Sequence, residues 1–184
     1  MNHSISSQKI LFQLACSLVL LLSMVFPASG LETLDPSENL NRQVMMLYQK
    51  GKFKDAVPLA RETLKIRESI LGSTHPKVAQ ALNNLAELKR KLGDHADAEV
   101  LYLRSLKILI NTLGSGHPRV AIVFNNLGLL YETLGQYSQA ESLYMRALEI
   151  REKTLKPGHP KITHLVNKLA SLRKNMGRPP VQSR

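Results

Sequence analysis

The stretch "HPRVAIVFNNLG" at residues 117–128 has a His-Pro pair at its start and an Asn-Asn pair inside an otherwise apolar run. Closely related stretches lie on both sides of it, "HPKVAQALNNLA" at 75–86 and "HPKITHLVNKLA" at 159–170. They begin at His75, His117 and His159, so the spacing is 42 residues both times. Self-similarity at a fixed period indicates a repeat architecture.

Within one period the residues indicate a helix, a turn and a second helix. Pro118 suits the first turn of a helix that runs to about Leu134, and His117 is placed to cap that helix. Gly135 suits the left-handed residue that ends it, and Ser138 with Glu141 has the spacing of a capping box that opens the second helix. One helix pair cannot bury its apolar faces alone, so we expect the pairs to stack as an α-solenoid.

The predicted fold is therefore all-α, with about three antiparallel helix pairs followed by a single C-terminal helix. The predicted segments are a signal peptide at 1–30, a linker at 31–36, a solenoid at 37–176 and a disordered tail at 177–184. Within the solenoid we place units at 37–74, 75–116 and 117–158 and a half unit at 159–176.

The third unit carries a recognisable set of spaced residues: Phe124, Leu127, Gly128, Tyr131, Gly135, Tyr137, Ala140, Tyr144 and Ala147. In this set the chain resembles tetratricopeptide-repeat proteins of the subtype with 42-residue units found in kinesin light chains. The second unit departs from the pattern at Lys89 and His95, and the first at Gln43 and Ala60. The resemblance implies a protein-interaction module whose first helices line a concave groove for a peptide of a partner.

Two asparagine positions recur on the first helices, although Asn is a poor residue in the middle of a helix. The first position reads Asn41, Asn83, Asn125 and Asn167, and the second reads Arg42, Asn84, Asn126 and Lys168. On the groove, an Asn amide can donate to a peptide carbonyl and accept from a peptide N–H. The asparagines could instead form hydrogen bonds between neighbouring repeats, or be inherited by duplication without present use, and the sequence leaves both alternatives open.

Basic residues on the same face suit an acidic partner segment. Arg90, Lys91 and Lys174 add positive charge there, although Glu87 lies on this face as well. Arg42, Asn84, Asn126 and Lys168 resemble in type the clamp that some members of the family use on the terminal carboxylate of a peptide. The expected partner is therefore a protein with an acidic or C-terminal peptide segment.

The N-terminal residues have the layout of a secretory signal peptide. Lys9 is the only charge in 1–30, residues 10–26 are apolar, and "PASG" follows, so we predict cleavage after Gly30 and a periplasmic or secreted protein. The alternative is an uncleaved membrane anchor through residues 10–26. Cleavage removes the only cysteine and leaves 24 Lys and Arg against 14 Asp and Glu, an excess that favours an anionic partner other than nucleic acid.

Catalytic and metal-binding patterns are missing from the sequence. The three connector histidines would lie about 10 Å apart in a stack, too far to share one zinc ion. No GxxxxGK, HExxH or GxSxG motif is present, so we predict no enzyme activity, cofactor or metal. Two alternative functions remain: electrostatic binding of anionic envelope components, and self-assembly through an exposed surface of the half unit formed by Leu165, Val166, Leu169 and Leu172.

Overall fold

The computed structural model describes residues 36–179, and the predicted signal peptide and residues 180–184 lie outside this range. The helices are α1 Pro36–Gln49, α2 Phe53–Leu71, α3 Pro76–Lys91, α4 His95–Leu113, α5 Pro118–Thr133, α6 Tyr137–Thr154 and α7 Pro160–Asn175. Between residues 36 and 179, no helix combines the length and the apolar character needed to cross a membrane.

The helices pack as antiparallel pairs in chain order. The pairs are α1 with α2, α3 with α4, and α5 with α6, and the second helix of each pair also packs on the first helix that follows it. The last helix, α7, packs on α6. The prediction of an all-α solenoid with three pairs and a C-terminal helix is confirmed.

The His-Pro pairs start the first helices as predicted. The Nδ1 atoms of His75, His117 and His159 each accept a hydrogen bond from the backbone N–H two residues later, at 3.1 Å. This bond satisfies one of the donors that a helix start leaves without a partner. At the other end of α5, Gly135 has the expected left-handed conformation with φ 73°.

The predicted capping box at Ser138 and Glu141 is wrong. Helix α6 begins at Tyr137, and Gln136 caps it without a side-chain hydrogen bond. Glu141 instead accepts hydrogen bonds from Arg173 and from Arg178, the latter at 2.7 Å. Since the Glu141 carboxylate is nearly buried, bonds from two guanidinium groups stabilise it more than a single backbone N–H would.

A close helix contact explains one small residue inside the third unit. Gly128 and Tyr144 are both buried, and a Cβ atom added to Gly128 would lie 2.6 Å from Cε1 of Tyr144. The missing side chain therefore lets α5 approach α6 closely. In the second unit the equivalent pair is Ala86 and Tyr102, and both are fully buried.

The first helix carries less buried residues at two positions where the second unit carries core residues. Gln43 lies 42 residues before the buried Leu85, and Met46 lies 42 residues before the buried Leu88. In the described part of the chain no helix precedes α1, and Met46 is 52% exposed. Gln43 is half-buried, so this position of α1 accommodates a polar side chain where the later units bury an apolar one.

The half unit does not expose the leucines named for self-assembly. Leu165, Leu169 and Leu172 are at most 1% exposed and face α6, while Val166 is half-buried. The expectation of an uncovered apolar surface at these leucines is therefore wrong. A helix that has only one neighbour can turn its whole apolar stripe towards that neighbour.

Candidate functional site

The recurring asparagines bond to one another across the repeats. Nδ2 of Asn84 donates to Oδ1 of Asn41 at 3.1 Å, and Nδ2 of Asn126 donates to Oδ1 of Asn83 at 3.0 Å. Nδ2 of Asn125 donates to Oδ1 of Asn126 at 3.2 Å. We call these three bonds the asparagine ladder. The inter-repeat bonds that the sequence allows for the asparagines are thus present, and the part of these residues in binding stays a prediction.

The ladder stops at α7, where Lys168 occupies the position of the next donor. The Lys168 ammonium lies 3.2 Å from the Tyr144 hydroxyl and 3.7 Å from a Glu132 carboxylate oxygen. Oδ1 of Asn125 is buried and has no hydrogen-bond partner in the described part of the chain. Asn167, the last member of the first set, is exposed on α7. The junction between α5 and α7 therefore lacks the amide bond that joins the earlier first helices.

Two surface depressions lie beside the ladder. The larger has a volume of about 230 Å³ and is lined by Val44, Met45 and Tyr48 of α1, Asn83, Asn84, Glu87 and Leu88 of α3, and Asn126 of α5. The smaller, of about 180 Å³, shares Asn83 and Asn84 and extends to Arg119 and Ile122 of α5. Sites for drug-sized ligands enclose about 300–1,000 Å³. These depressions suit single side chains of a bound peptide.

The ladder amides that line the depressions keep hydrogen-bonding capacity beyond the ladder bonds. A carboxamide has two N–H donors and two acceptor lone pairs. Within the described residues, Asn84 uses one donor in the ladder and Asn83 uses one acceptor site. The ladder therefore fixes the orientation of both amides and leaves donors and acceptors for the main chain of a bound segment.

Glu87 is the centre of a polar network at the larger depression. Its Oε1 accepts from the Tyr48 hydroxyl at 2.8 Å and from Arg90 Nη2 at 2.6 Å. Its Oε2 accepts from Arg90 Nε at 3.0 Å and from the Tyr102 hydroxyl at 2.7 Å. Burial alone would raise the pKa of Glu87, but the bonds from Arg90, Tyr102 and Tyr48 outweigh burial and lower this pKa. The carboxylate is thus held ionised beside the guanidinium.

The same network raises the pKa values of the two tyrosine hydroxyls that bond to Glu87. Burial, followed by the hydrogen bond to Glu87, raises the pKa of Tyr48 to about 12. Burial and the Glu87 charge raise the pKa of Tyr102 further. Both hydroxyls therefore remain protonated donors at neutral pH, and they tie α1 and α4 to α3 through one carboxylate.

The basic residues expected on this face differ in their surroundings. Arg90 is paired with Glu87, and Lys168 is held by Tyr144 and Glu132. Lys91 lies 5.9 Å from the ring centroid of Phe53 at the start of α2. Arg42 and Lys174 are exposed and form no ion pair with any residue of 36–179. The free positive charge of the predicted site therefore lies at Arg42 and Lys174.

Metal ligands are not gathered anywhere in residues 36–179. No group of three or more His, Cys, Asp or Glu side chains there is arranged to hold a metal ion.

Sequence reasoning placed the asparagines but did not find the Glu87 network. A buried tyrosine needs an acceptor for its hydroxyl, so the repeated tyrosine of the second helices was the signal that could have indicated it. Tyr102 uses Glu87 of α3, whereas Tyr144 uses Glu132 of α5, at 2.6 Å. The two acceptors occupy different positions of their units, so periodicity alone does not reveal them.

Comparisons with known proteins agree with this architecture. The family model described as tetratricopeptide repeat matches residues 37–111 and 78–153. The structure of BtubC (BKLC) from P. vanneervenii is 26% identical with a TM-score of 0.69, and the match covers 77% of this chain and 56% of that chain. This chain thus spans little more than half the length of BtubC.

A second similar structure is a putative kinesin light chain of Podosopora anserina with nearly identical TPR-like repeats. It is 25% identical with a TM-score of 0.71, and the match covers 78% of this chain and 68% of that chain. A single-substitution variant of that protein is also 25% identical, with a TM-score of 0.70 and the same coverage. A search of curated proteins found no match. On its repeat pattern, its paired helices and the matched segments, this chain belongs to the tetratricopeptide repeat family.

Proposed function

We propose that this chain is a non-enzymatic scaffold or adaptor that holds a peptide segment of a partner protein. The segment would lie across the first helices α1, α3, α5 and α7, along the asparagine ladder. The observation that supports this proposal most is the spare hydrogen-bonding capacity of Asn83, Asn84 and Asn126, which line the depressions. Tetratricopeptide-repeat domains are typical of protein-interaction scaffolds.

The asparagine amides suit an extended main chain. Such a segment presents alternating N–H and C=O groups, and an amide can bond to either without reading the side chains. Selectivity would then come from side chains in the depressions and from charge. Arg42 and Lys174 are exposed cations of this face, the exposed Arg119 lines the smaller depression, and the chain has a formal net charge of +11, so an acidic segment is the favoured partner.

We also propose that the protein is exported, on the strength of the apolar segment at residues 10–26 and the small residues that follow it. N-terminal sequencing of the protein isolated from its source tests this. We expect the mature chain to begin at Leu31. A chain that keeps residues 1–30 and sediments with membranes would support the anchor alternative.

The binding proposal is tested by capturing partners from a native extract with three forms of the protein at moderate salt. The wild type is compared with the Asn84→Ala/Asn126→Ala variant, which removes two amides that line the larger depression. The control is Asn41→Ala/Asn125→Ala, which breaks two of the three ladder bonds but keeps both lining amides. Circular dichroism checks that all three forms are folded.

We expect the wild type to retain a discrete protein and the Asn84→Ala/Asn126→Ala variant to lose it. The control should retain the same protein less tightly, because Asn84 loses the bond to Asn41 that fixes its amide. Equal retention by all three forms would place binding elsewhere on the molecule. Loss from the folded control as well would mean that the ladder bonds, rather than the lining amides, are what the partner requires. Either result would contradict the proposal.

A further inference from the structure

We infer that Glu87 determines which side chain the larger depression accepts: an uncharged apolar one rather than an acidic one. The inference rests on the proposed function, because the side chain would belong to the segment that lies along the asparagine ladder. Glu87 would thus set the specificity of one place on the groove without itself binding the main chain of the segment.

Glu87 is unlike its equivalents in the other units. The residues at the same position are Met45, Leu129 and Ser171, so the second unit alone carries a carboxylate there. Arg90 follows one turn later and bonds to both oxygens of Glu87, which lines the depression. The second unit is therefore the one unit whose first helix carries a carboxylate and an arginine at these two positions.

The two charges compensate each other almost completely. Each oxygen of Glu87 accepts two hydrogen bonds, and Arg90 supplies one bond to each. The side chains of Arg90 and Glu87 are 9% and 18% exposed. A guanidinium and a carboxylate joined by two parallel bonds offer a ligand little net charge, because each already satisfies the other.

The rest of the depression offers apolar surface. Val44 and Leu88, at most 2% exposed, form its buried wall beside the asparagines, and Met45, 43% exposed, supplies the accessible apolar surface. An unbranched thioether adapts its shape to different apolar partners. The exposed Arg42 is not among the lining residues, so an acidic side chain entering the depression would lose water without meeting a free cation. An apolar side chain would gain from the same burial.

Two capped amino acids probe this preference directly in the wild-type protein: the α-amides of N-acetylleucine and of N-acetylaspartate. Each is titrated while the Met45 methyl signal and the Asn84 side-chain amide signals are followed by NMR. We expect the leucine derivative to shift both sets of signals in a saturable way. The aspartate derivative should shift them only weakly at the same concentrations.

The Glu87→Gln variant tests the role of the carboxylate, because it keeps the side-chain size and leaves the Arg90 charge uncompensated. We expect affinity for the aspartate derivative to rise by about two- to fivefold, the range that a partly exposed ion pair contributes. Glu149→Gln is the matched control. It removes the same charge from an exposed position on α6, where Glu149 bonds to Lys153, and should behave like the wild type.

The inference is overturned if the aspartate derivative shifts the wild-type signals as much as the leucine derivative does, or if neither shifts them. A folded Glu87→Gln variant with wild-type preference also contradicts it. The wild-type comparison stands even if that variant fails to fold. A partner captured through Asn84 and Asn126 without any leucine preference would remove this inference and leave the proposed function intact.

Discussion

Asn84 shows how a single residue takes part in both repeat packing and recognition. Its amide donates to Asn41 of the preceding unit, yet it also lines both depressions. The sequence poses these roles as alternatives, but a carboxamide has enough donors and acceptors for both. The inter-repeat bond restricts the rotation of the amide, so less side-chain freedom remains to be lost when a segment binds.

Lys168→Asn is expected to extend the asparagine ladder to α7. An asparagine at this position would stand where Asn84 and Asn126 stand on the earlier helices, and its amide could donate to the buried, unpaired Oδ1 of Asn125. Leaving such an acceptor unpaired costs about 1–3 kcal/mol. The ion pair between Lys168 and Glu132, which the substitution removes, is long at 3.7 Å. We expect the free energy of unfolding in urea to rise by about 1 kcal/mol.

The same substitution in an Asn125→Ala background is the control for that prediction. With the acceptor removed, the stabilisation should disappear, and the coupling between the two positions gives the strength of the new bond. A lower stability of Lys168→Asn would show that the lysine's bonds with Tyr144 and Glu132 contribute more than the ladder bond.

Stability should decrease in alkaline solution because of the tyrosine–carboxylate bonds. Burial and Glu87 raise the pKa of Tyr48 to about 12, and the hydrogen bond to Glu99, with burial, raises the pKa of Tyr131 to about 12. An unfolded tyrosine has a pKa of about 10. Below that pH the hydroxyls are protonated in both the folded and the unfolded state, so the tyrosine–carboxylate bonds stabilise the fold fully. Above it the unfolded state loses its protons first, and the free energy of unfolding falls. Because both hydroxyls are partly exposed and screened by solvent, the slope should be below about 1.4 kcal/mol per pH unit for each group.

Urea unfolding at a series of alkaline pH values measures this slope. Tyr131→Phe removes one of the shifted groups and should make the decline shallower. A free energy of unfolding that stays constant as the pH rises from about 10 to about 12 would contradict the assignment of these hydroxyls as donors to carboxylates.

At the scale of the helices, sequence periodicity predicted what recurs and missed what occurs once. The period indicated the helix starts at His75, His117 and His159, because a residue in the same environment in each unit is kept at the same spacing. Glu87 has no carboxylate equivalent in the other units. Its tyrosine partners lie 39 and 15 residues away in the chain, so no local pattern joins them.

The prediction of a capping box was wrong for the same reason: a local sequence pattern does not reveal contacts between residues that are distant in the chain. The spacing of Ser138 and Glu141 fits a local motif, but Glu141 is bonded to Arg173 of α7, which is 32 residues away. Sequence spacing describes contacts within a turn or a helix. It gives no information on which distant guanidinium reaches a carboxylate.

Glu141→Gln is expected to loosen α7. The carboxylate accepts from Arg173 and Arg178 and so ties the end of the solenoid to α6. Because both arginines are partly exposed, we expect a loss of about 1–3 kcal/mol in local stability rather than the full effect of a buried pair. Amide hydrogen exchange measures this loss. Relative to the wild type, exchange should become faster in α7 and stay unchanged in α3 and α4. If the exchange rates of α7 are the same in the variant and in the wild type, this role of Glu141 is contradicted.

At the scale of the whole molecule, the described solenoid ends in surfaces of mixed polarity. Gln43 is half-buried on α1, and Thr163 and Asn167 are exposed on α7 beside the half-buried Val166. Repeat proteins need such terminal faces to stay soluble, since an apolar end would attract further units. The middle of the molecule, where Asn83, Asn84 and Asn126 line the depressions, is thus the place where we expect a partner to bind.

We expect the protein to be monomeric at micromolar concentrations. Its terminal leucines are buried against α6, and the positive net charge of each copy opposes end-to-end contact. Sedimentation velocity at low and moderate salt measures the state. A concentration-dependent dimer at both salt concentrations would contradict this prediction and would indicate self-assembly through a surface other than Leu165, Leu169 and Leu172.

The central claim is that partners bind along the ladder on the first helices. The most direct measurement is an NMR titration of the protein with a synthetic peptide of the captured partner, following the side-chain amides of Asn84 and Asn126. We predict that these signals shift and that Val100 and Leu103, exposed on α4, keep theirs. Shifts at Val100 and Leu103 with unchanged asparagine signals would contradict the claim and place recognition on the second helices.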